Sequence, residues 1–178
     1  MARALGLDFG TTNTVLALAD AGGSTTHSVP FHSSAGDSDS MRTALSFMKD
    51  RGLGAEALKV EAGQAAIRMF IDNPGDCRFL QSIKTFAASS LFQGTLIFAK
   101  RQSFEDLMEV FLRKLKTYAG DEWHNDVSTV IAGRPVRFAG TNPNEELALT
   151  RYNEALTRAG FPEIHYVYEP VAAAYYFA

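Results

Sequence analysis

The stretch L-G-L-D-F-G-T-T-N-T-V-L-A-L, residues 5–18, contains two apolar runs separated by a short polar turn. Residues 5–8 and 14–19 predict two β-strands, and the tight connection between them predicts an antiparallel hairpin. Gly10 lets the backbone come close to a ligand, and successive backbone N–H groups with threonine hydroxyls can bind an anion. The residues alone leave two alternatives open, a plain hairpin turn and a phosphate-binding loop.

The composition is that of a globular domain. The chain has 178 residues, 46% of them hydrophobic and 21% charged, with a formal net charge of -3. This length predicts one ordinary domain or one lobe of a larger protein, and the net negative charge argues against a nucleic-acid-binding surface. The single cysteine, Cys77, excludes a disulfide framework and suits a reduced cytosolic thiol. No signal peptide and no run of the ~20 apolar residues of a membrane span is present, so we expect a cytoplasmic protein without membrane contact.

A strand–helix–strand pattern occupies the last third of the sequence. Residues 127–132 predict a strand, residues 144–159 predict an amphipathic helix ended by Gly160, and residues 164–168 predict a second strand. Short connections make this a βαβ unit, in which the two strands are parallel and the crossover is right-handed.

Other elements follow from local patterns. A helix is predicted over residues 103–118, with Ser103 as its N-cap and an apolar stripe that favours core packing over a ligand role. Elsewhere the sequence predicts a turn at 21–24, a strand at 27–31, a flexible loop at 32–40, a strand at 42–48, and a helix at 62–71 that ends before the turn N-P-G-D.

Polar residues follow three of the predicted strands. Asp8 ends the first strand, Gly133-Arg134-Pro135 follows the strand at 127–132, and Glu169-Pro170 follows the strand at 164–168. Ligands of parallel α/β sheets bind beyond the carboxyl ends of the strands, so we expect these features at one edge. Asp8-Phe9-Gly10 also matches the D-F-G of protein kinases, but the other motifs of those enzymes are absent from the sequence.

Three blocks together are specific. They are G-L-D-F-G-T-T-N-T at 6–14, V-I-A-G-R-P-V-R-F at 130–138 and A-G-F-P-E-I-H-Y-V-Y-E-P-V-A-A-A at 159–174. In this combination the chain resembles the seventy-kilodalton heat-shock chaperones of the DnaK type, and more closely their divergent YegD-like branch, in which G-R-P replaces the usual V-P-A. Weaker similarity between the blocks extends the resemblance over most of the chain.

The resemblance implies an α/β fold, the first lobe of an actin-like (ribonuclease H-like) ATPase domain. Such a lobe has a mixed sheet with an N-terminal antiparallel hairpin and a parallel βαβ unit, flanked by helices. Residues 1–36 and 103–178 would form its core, and residues 37–102 an inserted outer α/β subdomain. The second lobe and any peptide-binding domain would lie outside this chain.

The same resemblance implies a nucleotide site near the hairpin. Gly10, Thr11, Thr12 and Asn13 match the first phosphate loop of the family. Asp8 matches its Mg²⁺-associated carboxylate, which acts through water.

Catalytic and switch positions are also implied. Lys84, in F-L-Q-S-I-K-T-F, matches the catalytic lysine near the γ-phosphate, and Glu169 matches the glutamate that orients water. Pro135 matches the switch proline that relays the nucleotide state to a partner domain. For Arg134 two alternatives stay open, a phosphate contact and a place in a surface loop.

By resemblance, the parent protein binds ATP and Mg²⁺ and hydrolyses the ATP to switch conformation, with polypeptide clients and co-chaperones bound by parts outside this chain. The chain alone, as half of a clamp, is expected to show little or no ATP hydrolysis. Three alternatives remain: an MreB-type or actin-like filament or scaffold ATPase, a relative of sugar or acetate kinases, and a degenerate nucleotide-binding module without turnover.

Overall fold

A computed structural model describes residues 3–20, 22, 25–50, 57–121 and 127–176. Within them the strands are β1 (Arg3–Phe9), β2 (Asn13–Ala19), β3 (Thr26–Ser28), β4 (Phe31–Ser33), β5 (Gly36–Ser38), β6 (Met41–Arg42), β7 (Ala44–Lys49), β8 (Leu58–Ala62), β9 (Cys77–Gln81), β10 (Thr95–Ile97), β11 (Lys100–Gln102), β12 (Val127–Arg134) and β13 (Glu163–Tyr168). The helices are α1 (Gly63–Asp72), α2 (Phe104–Ala119), α3 (Glu145–Arg158) and α4 (Glu169–Tyr176), and a 3₁₀ turn spans Ile83–Phe86.

The largest sheet is mixed. Its strand order is β13-β12-β1-β2-β3, and β6 also pairs with β2. β1 is antiparallel to β2 and parallel to β12, while β12 is parallel to β13. The predicted N-terminal hairpin, the parallel strands of the βαβ unit and the mixed α/β class are therefore confirmed.

Alternation along β1 separates the two faces of this sheet. Leu5, Leu7 and Phe9 are buried on one face. The Phe9 ring lies 5.5 Å from Phe111 of α2 and 5.8 Å from Tyr152 of α3, measured between ring centroids. Because successive side chains of a strand point to opposite faces, the neighbours of these residues, Asp8 included, face away from α2 and α3.

Both long helices have capped N-termini, and the cap predicted at Ser103 is confirmed. Ser103 and Asp106 form a reciprocal capping box, with N–H···O distances of 3.2 and 2.9 Å. Asn144 caps α3 by accepting from the N–H of Leu147 at 2.9 Å. The stripe predicted to pack in the core is buried in full; its members are Phe104, Leu107, Met108, Phe111, Leu112 and Leu115.

A second, three-stranded antiparallel sheet has the order β8-β7-β9. Helix α1 packs on it, and the Ser46 hydroxyl of β7 donates to the Ala66 carbonyl of α1 at 2.7 Å. The predicted strand at 42–48 and helix at 62–71 correspond to β6–β7 and α1. The partner strands β8 and β9 were not predicted from the sequence.

Two local predictions are wrong and one lies largely outside the described residues. Residues 32–40 hold the β4–β5 hairpin instead of a flexible loop, and the Ser33 hydroxyl accepts from the N–H of Ala35 at 3.2 Å inside its turn. The strand predicted at 27–31 is divided into β3 and β4, since Pro30 between them has no N–H for a ladder. Of the turn predicted at 21–24, only Gly22 is described.

Among the described residues, none of the helices combines the length and apolar character that crossing a bilayer demands.

Candidate functional site

The hairpin loop between β1 and β2 is closed by Gly10. The N–H of Gly10 donates to the carbonyl of Asn13 at 3.0 Å. A Cβ at position 10 would lie 2.3 Å from that same oxygen, which no side chain tolerates. Glycine is therefore required by close approach within the turn.

A threonine from a distant part of the chain supports this loop. The Thr43 hydroxyl lies 2.8 Å from the Gly10 carbonyl oxygen and 2.9 Å from the Thr14 hydroxyl, and the Thr43 N–H donates to the Thr12 carbonyl at 2.9 Å. Thr14 and Thr43 are both buried. These bonds occupy carbonyls of the loop from its buried side, and the other side of the loop remains exposed to solvent.

The outer side of the loop presents polar groups. Thr11, Thr12 and Asn13 are exposed. Arg42 donates from Nη1 to Oδ1 of Asn13 at 3.1 Å, and this brings a guanidinium beside the turn. Hydroxyl donors and a nearby cation are the chemistry that an anion selects.

Lys84 lies in the 3₁₀ turn after β9 and points toward the carboxyl end of β13. Its side chain is only 8% exposed, and its Nζ lies 2.7 Å from Oε1 of Glu169, the first residue of α4. A buried ammonium requires a partner, and Glu169 is the carboxylate that supplies it. The structure thus brings together two residues that the sequence resemblance assigned to catalysis.

Asp8 and Glu169 lie close together on either side of Gly133. Because Gly133 has no side chain, nothing fills the space between them. A Cβ at position 133 would lie 3.3 Å from Cγ of Glu169 and 3.9 Å from Cα of Asp8. The pKa of Asp8 is raised, first by loss of water around its carboxyl and then by repulsion from Glu169, while attraction from Lys84 offsets part of the rise. The three charged side chains therefore act on one another.

The hairpin loop and the lysine segment share a small cavity. It has a volume of about 130 Å³, and Thr11, Thr12, Thr43 and Ser82 are among the residues that line it. A larger apolar groove of about 320 Å³ runs along the open face of the main sheet and has Asp8 and Glu169 in its lining. Thr11 and Thr12 thus border the small cavity, and Asp8 and Glu169 border the apolar groove.

Arg134 is the last residue of β12, so it does not lie in a surface loop, and a phosphate contact stays a prediction. Its Nη2 lies 2.9 Å from Oε2 of Glu145, in the first turn of α3. Its guanidinium also lies over two aromatic rings, 4.8 Å from the centroid of Tyr168 and 5.8 Å from that of Phe138. Pro135 follows directly, half-buried at the end of β12. Arg134 therefore joins the ends of β12 and β13 to α3.

The acidic residues of the site suit a hydrated cation. The described residues contain no group of three or more histidine, cysteine, aspartate or glutamate side chains able to surround one metal ion. Mg²⁺ in phosphoryl-transfer sites takes one or two carboxylates and completes its coordination with water and phosphate oxygens. Asp8 and Glu169 fit that requirement, and the glycine-closed loop beside them fits a phosphate chain.

A comparison of the sequence with models of known protein families finds no match.

Proposed function

We propose that this chain is the first lobe of an actin-like ATPase domain in a protein of the DnaK-type chaperone family, YegD-like branch. The ion pair between Lys84 and Glu169, formed beside Asp8 where the parallel strands end, is the observation that carries the proposal. The parallel pairing of β1, β12 and β13 places their carboxyl ends together, and the 3₁₀ turn after β9 brings the Lys84 ammonium to the same edge. A free Cys77 thiol suits a cytoplasmic location.

The hairpin loop binds the phosphate chain of ATP in this proposal. Thr11 and Thr12 are exposed, so their hydroxyls can reach an anion, and Arg42 adds positive charge beside them. Because the net charge of the protein is negative, local donors of this kind must supply the attraction. The Thr43 hydroxyl binds the Gly10 carbonyl and so keeps that carbonyl of the loop away from the phosphates.

Lys84 and Glu169 divide the chemistry of phosphoryl transfer. The ammonium of Lys84 has three donors, so it can keep its bond to Glu169 and still donate to a phosphate oxygen. That contact stabilises the negative charge that develops during transfer. Glu169, held in place by Lys84, accepts a hydrogen bond from the attacking water and orients it. Bound Mg²⁺, held through water by Asp8, would neutralise charge on the phosphates.

The parent protein uses this hydrolysis as a conformational switch, and polypeptide clients and co-chaperones would be its partners. Arg134 pairs with Tyr168, the residue before Glu169, in the parallel register of β12 and β13, and Pro135 follows Arg134. Arg134 extends the connection to α3 through Glu145. A change around Glu169 can therefore reach α3 through one side chain.

The proposal is tested by backbone amide NMR of the protein titrated with Mg·ATP, a method that tolerates weak binding. We expect saturable shift changes at the amides of residues 10–13 and at Lys84. Mg·AMP, which lacks the terminal phosphates, should leave those amides unchanged at equal concentration.

Variants make the test specific. Lys84→Met should abolish the amide shift at position 84 and weaken the shifts at the loop. Lys100→Met, a change at an exposed lysine of β11, should alter neither. Saturable shifts confined to another surface, or identical responses to Mg·ATP and Mg·AMP at residues 10–13, would exclude a triphosphate site at the hairpin.

A further inference from the structure

The segment that carries Lys84 has little regular secondary structure. Ser82 has a left-handed backbone with φ 56°, a 3₁₀ turn covers Ile83–Phe86, and further turns continue to Phe92. Within the segment, the Phe86 and Ser89 carbonyls accept one N–H each, from Ser89 and Phe92. A carbonyl can accept a second donor, and a buried carbonyl without a bond inside the segment requires a donor from elsewhere. The position of the Lys84 side chain therefore depends on what holds those carbonyls.

Arg151 of α3 supplies the donors. Its Nη1 donates to the carbonyls of Phe86 at 3.1 Å, Ala87 at 3.0 Å and Ser89 at 3.1 Å, and its Nη2 donates to the carbonyl of Phe92 at 3.0 Å. The Arg151 side chain is only 11% exposed. One guanidinium thus gathers four carbonyls of the lysine segment away from solvent.

Two further contacts fix this arrangement. Oε1 of Glu105, on α2, lies 3.1 Å from Nε of Arg151, and the Glu105 side chain is 16% exposed. This carboxylate neutralises a guanidinium that has lost most of its water. The N–H of Asn144, at the start of α3, donates to the Ala88 carbonyl at 2.9 Å. Both long helices therefore hold the segment.

We propose that Arg151 is a positioning residue for Lys84. The Ala87 N–H donates to the Lys84 carbonyl at 3.1 Å, and the Ala87 carbonyl accepts from Arg151. The guanidinium is thus connected to the Lys84 backbone through a single residue. It fixes the base of the lysine, while Glu169 fixes the ammonium. The inference rests on the proposed function only where it links the position of Lys84 to ATP.

The guanidinium group is essential to this role, and positive charge alone is not enough. Arginine presents five N–H donors in a rigid plane, whereas the lysine ammonium presents three donors around a point. A lysine at position 151 could pair with Glu105 but could not reach four carbonyls spread over residues 86–92. Arg151→Lys therefore keeps the charge and removes the geometry.

The test compares Arg151→Lys with Arg158→Lys. Arg158 lies on the same helix, and its side chain is 41% exposed. It pairs with Asp106 and Glu154, which are not part of the lysine segment. Two properties are measured without nucleotide: amide hydrogen exchange over residues 84–92, and the ¹⁵N NMR signal of the Lys84 ammonium. Mg·ATP affinity is measured afterwards by titration.

Arg151→Lys should raise amide exchange over residues 84–92 by about tenfold or more, because several hydrogen bonds of the segment are lost. It should also shift or broaden the Lys84 ammonium signal, and Arg158→Lys should do neither. Mg·ATP affinity should fall as far as in Lys84→Met, with no further loss in the double variant. Faster exchange with an unchanged Lys84 signal would make Arg151 a structural anchor only and overturn the proposal, as would unchanged exchange.

The two readouts keep this inference separate from the proposed function. If the wild-type protein shows no response to Mg·ATP at the hairpin, the proposed function fails, but the exchange and ammonium measurements still decide whether Arg151 positions Lys84. Should Arg151→Lys not fold, Glu105→Gln takes its place. This variant leaves the four bonds from Arg151 to the carbonyls possible but removes the countercharge of Arg151. We expect a smaller rise in amide exchange and a smaller change in the Lys84 ammonium signal. An unchanged Lys84 signal would overturn the proposal.

Discussion

The ammonium of Lys84 lies 2.7 Å from the carboxylate of Glu169, although 85 positions of sequence separate them. Lys84 is on the 3₁₀ turn that follows β9 of the second sheet. Glu169 is the first residue of α4 and directly follows β13 of the main sheet. The pair therefore joins the two sheets at one point. We expect the pair to contribute to the stability of the protein and to fix the groups proposed to act on ATP.

Removing the carboxylate of this pair should destabilise the protein. Glu169→Gln removes the carboxylate that contacts the Lys84 ammonium, which is 8% exposed, and leaves Asp8 as the nearby countercharge. We expect a loss of about 1–3 kcal/mol in the free energy of unfolding. Urea denaturation measures it. Glu163→Gln is the matched control, since Glu163 is exposed and pairs only with exposed His165, and it should change stability by less than about 0.5 kcal/mol. Equal effects of the two variants would show that the buried pair contributes nothing.

Asp8 should reduce stability at neutral pH. Its pKa is raised in the folded protein by desolvation and by Glu169, so the unfolded chain loses this proton at a lower pH than the folded protein does. Stability therefore falls as pH rises from the ordinary aspartate pKa of about 3.9 through the raised value, and stays reduced above it.

Asp8→Asn should accordingly raise the free energy of unfolding at pH 7. The advantage over the wild type should shrink as pH falls below about 4, where the carboxyl is protonated in both states. Urea denaturation at several pH values measures this difference. A variant less stable than the wild type at pH 7, or an advantage independent of pH, would contradict the raised pKa. A residue that lowers stability in this way fits a functional role.

The hairpin loop should tolerate no side chain at position 10. In Gly10→Ala the new Cβ would start 2.3 Å from the Asn13 carbonyl oxygen, so the turn must open, at a cost of about 1–3 kcal/mol. Gly6→Ala, on the preceding strand β1, is the control, because its Cβ would meet the nearest atoms of Ala17 at 3.7 and 3.9 Å, ordinary contact distances. Thermal unfolding of both variants compares them. A Gly10→Ala protein as stable as Gly6→Ala would show that the loop is plastic.

Much of the fold follows from short-range patterns, and the site follows only in part. The stripe of α2 and the hairpin of β1 and β2 were predictable because residues close in sequence determine them. Strand β7 was predicted but its partners β8 and β9 were not. The sequence of β8, L-K-V-E-A, alternates between apolar and polar residues and could have been recognised, whereas that of β9, C-R-F-L-Q, does not alternate cleanly.

The side chains that hold the site in place could not be predicted. Thr43 binds the Gly10 carbonyl across 33 positions, and Arg151 binds the Ala87 carbonyl across 64. A lone threonine or arginine carries no local signal of such a contact, because the carbonyl it binds has no identity in the sequence. Arg134 shows the same limit. Its partner Glu145 lies only 11 positions away, but the connection between them follows no periodic pattern.

The Tyr152 hydroxyl should lower the stability of the core. Tyr152 is 1% exposed, its ring stacks on Phe104 at 5.8 Å, and its hydroxyl has no hydrogen-bond partner among the described residues. Burial raises the pKa of this phenol, with smaller contributions from Glu169, Tyr166 and Asp8. A buried hydroxyl without a partner costs free energy, so Tyr152→Phe should raise the free energy of unfolding by about 1 kcal/mol.

Tyr118→Phe provides the opposite case for this prediction. The Tyr118 hydroxyl donates to the Glu61 carboxylate, which also lies 3.5 Å from Nζ of Lys114. Removing that donor should lower stability by about 1 kcal/mol. Urea denaturation of both variants at pH 7 gives the comparison, and the two phenylalanines should shift the midpoint in opposite directions. A Tyr152→Phe protein destabilised as much as Tyr118→Phe would mean that the Tyr152 hydroxyl has a hydrogen-bond partner in solution, and would contradict the prediction.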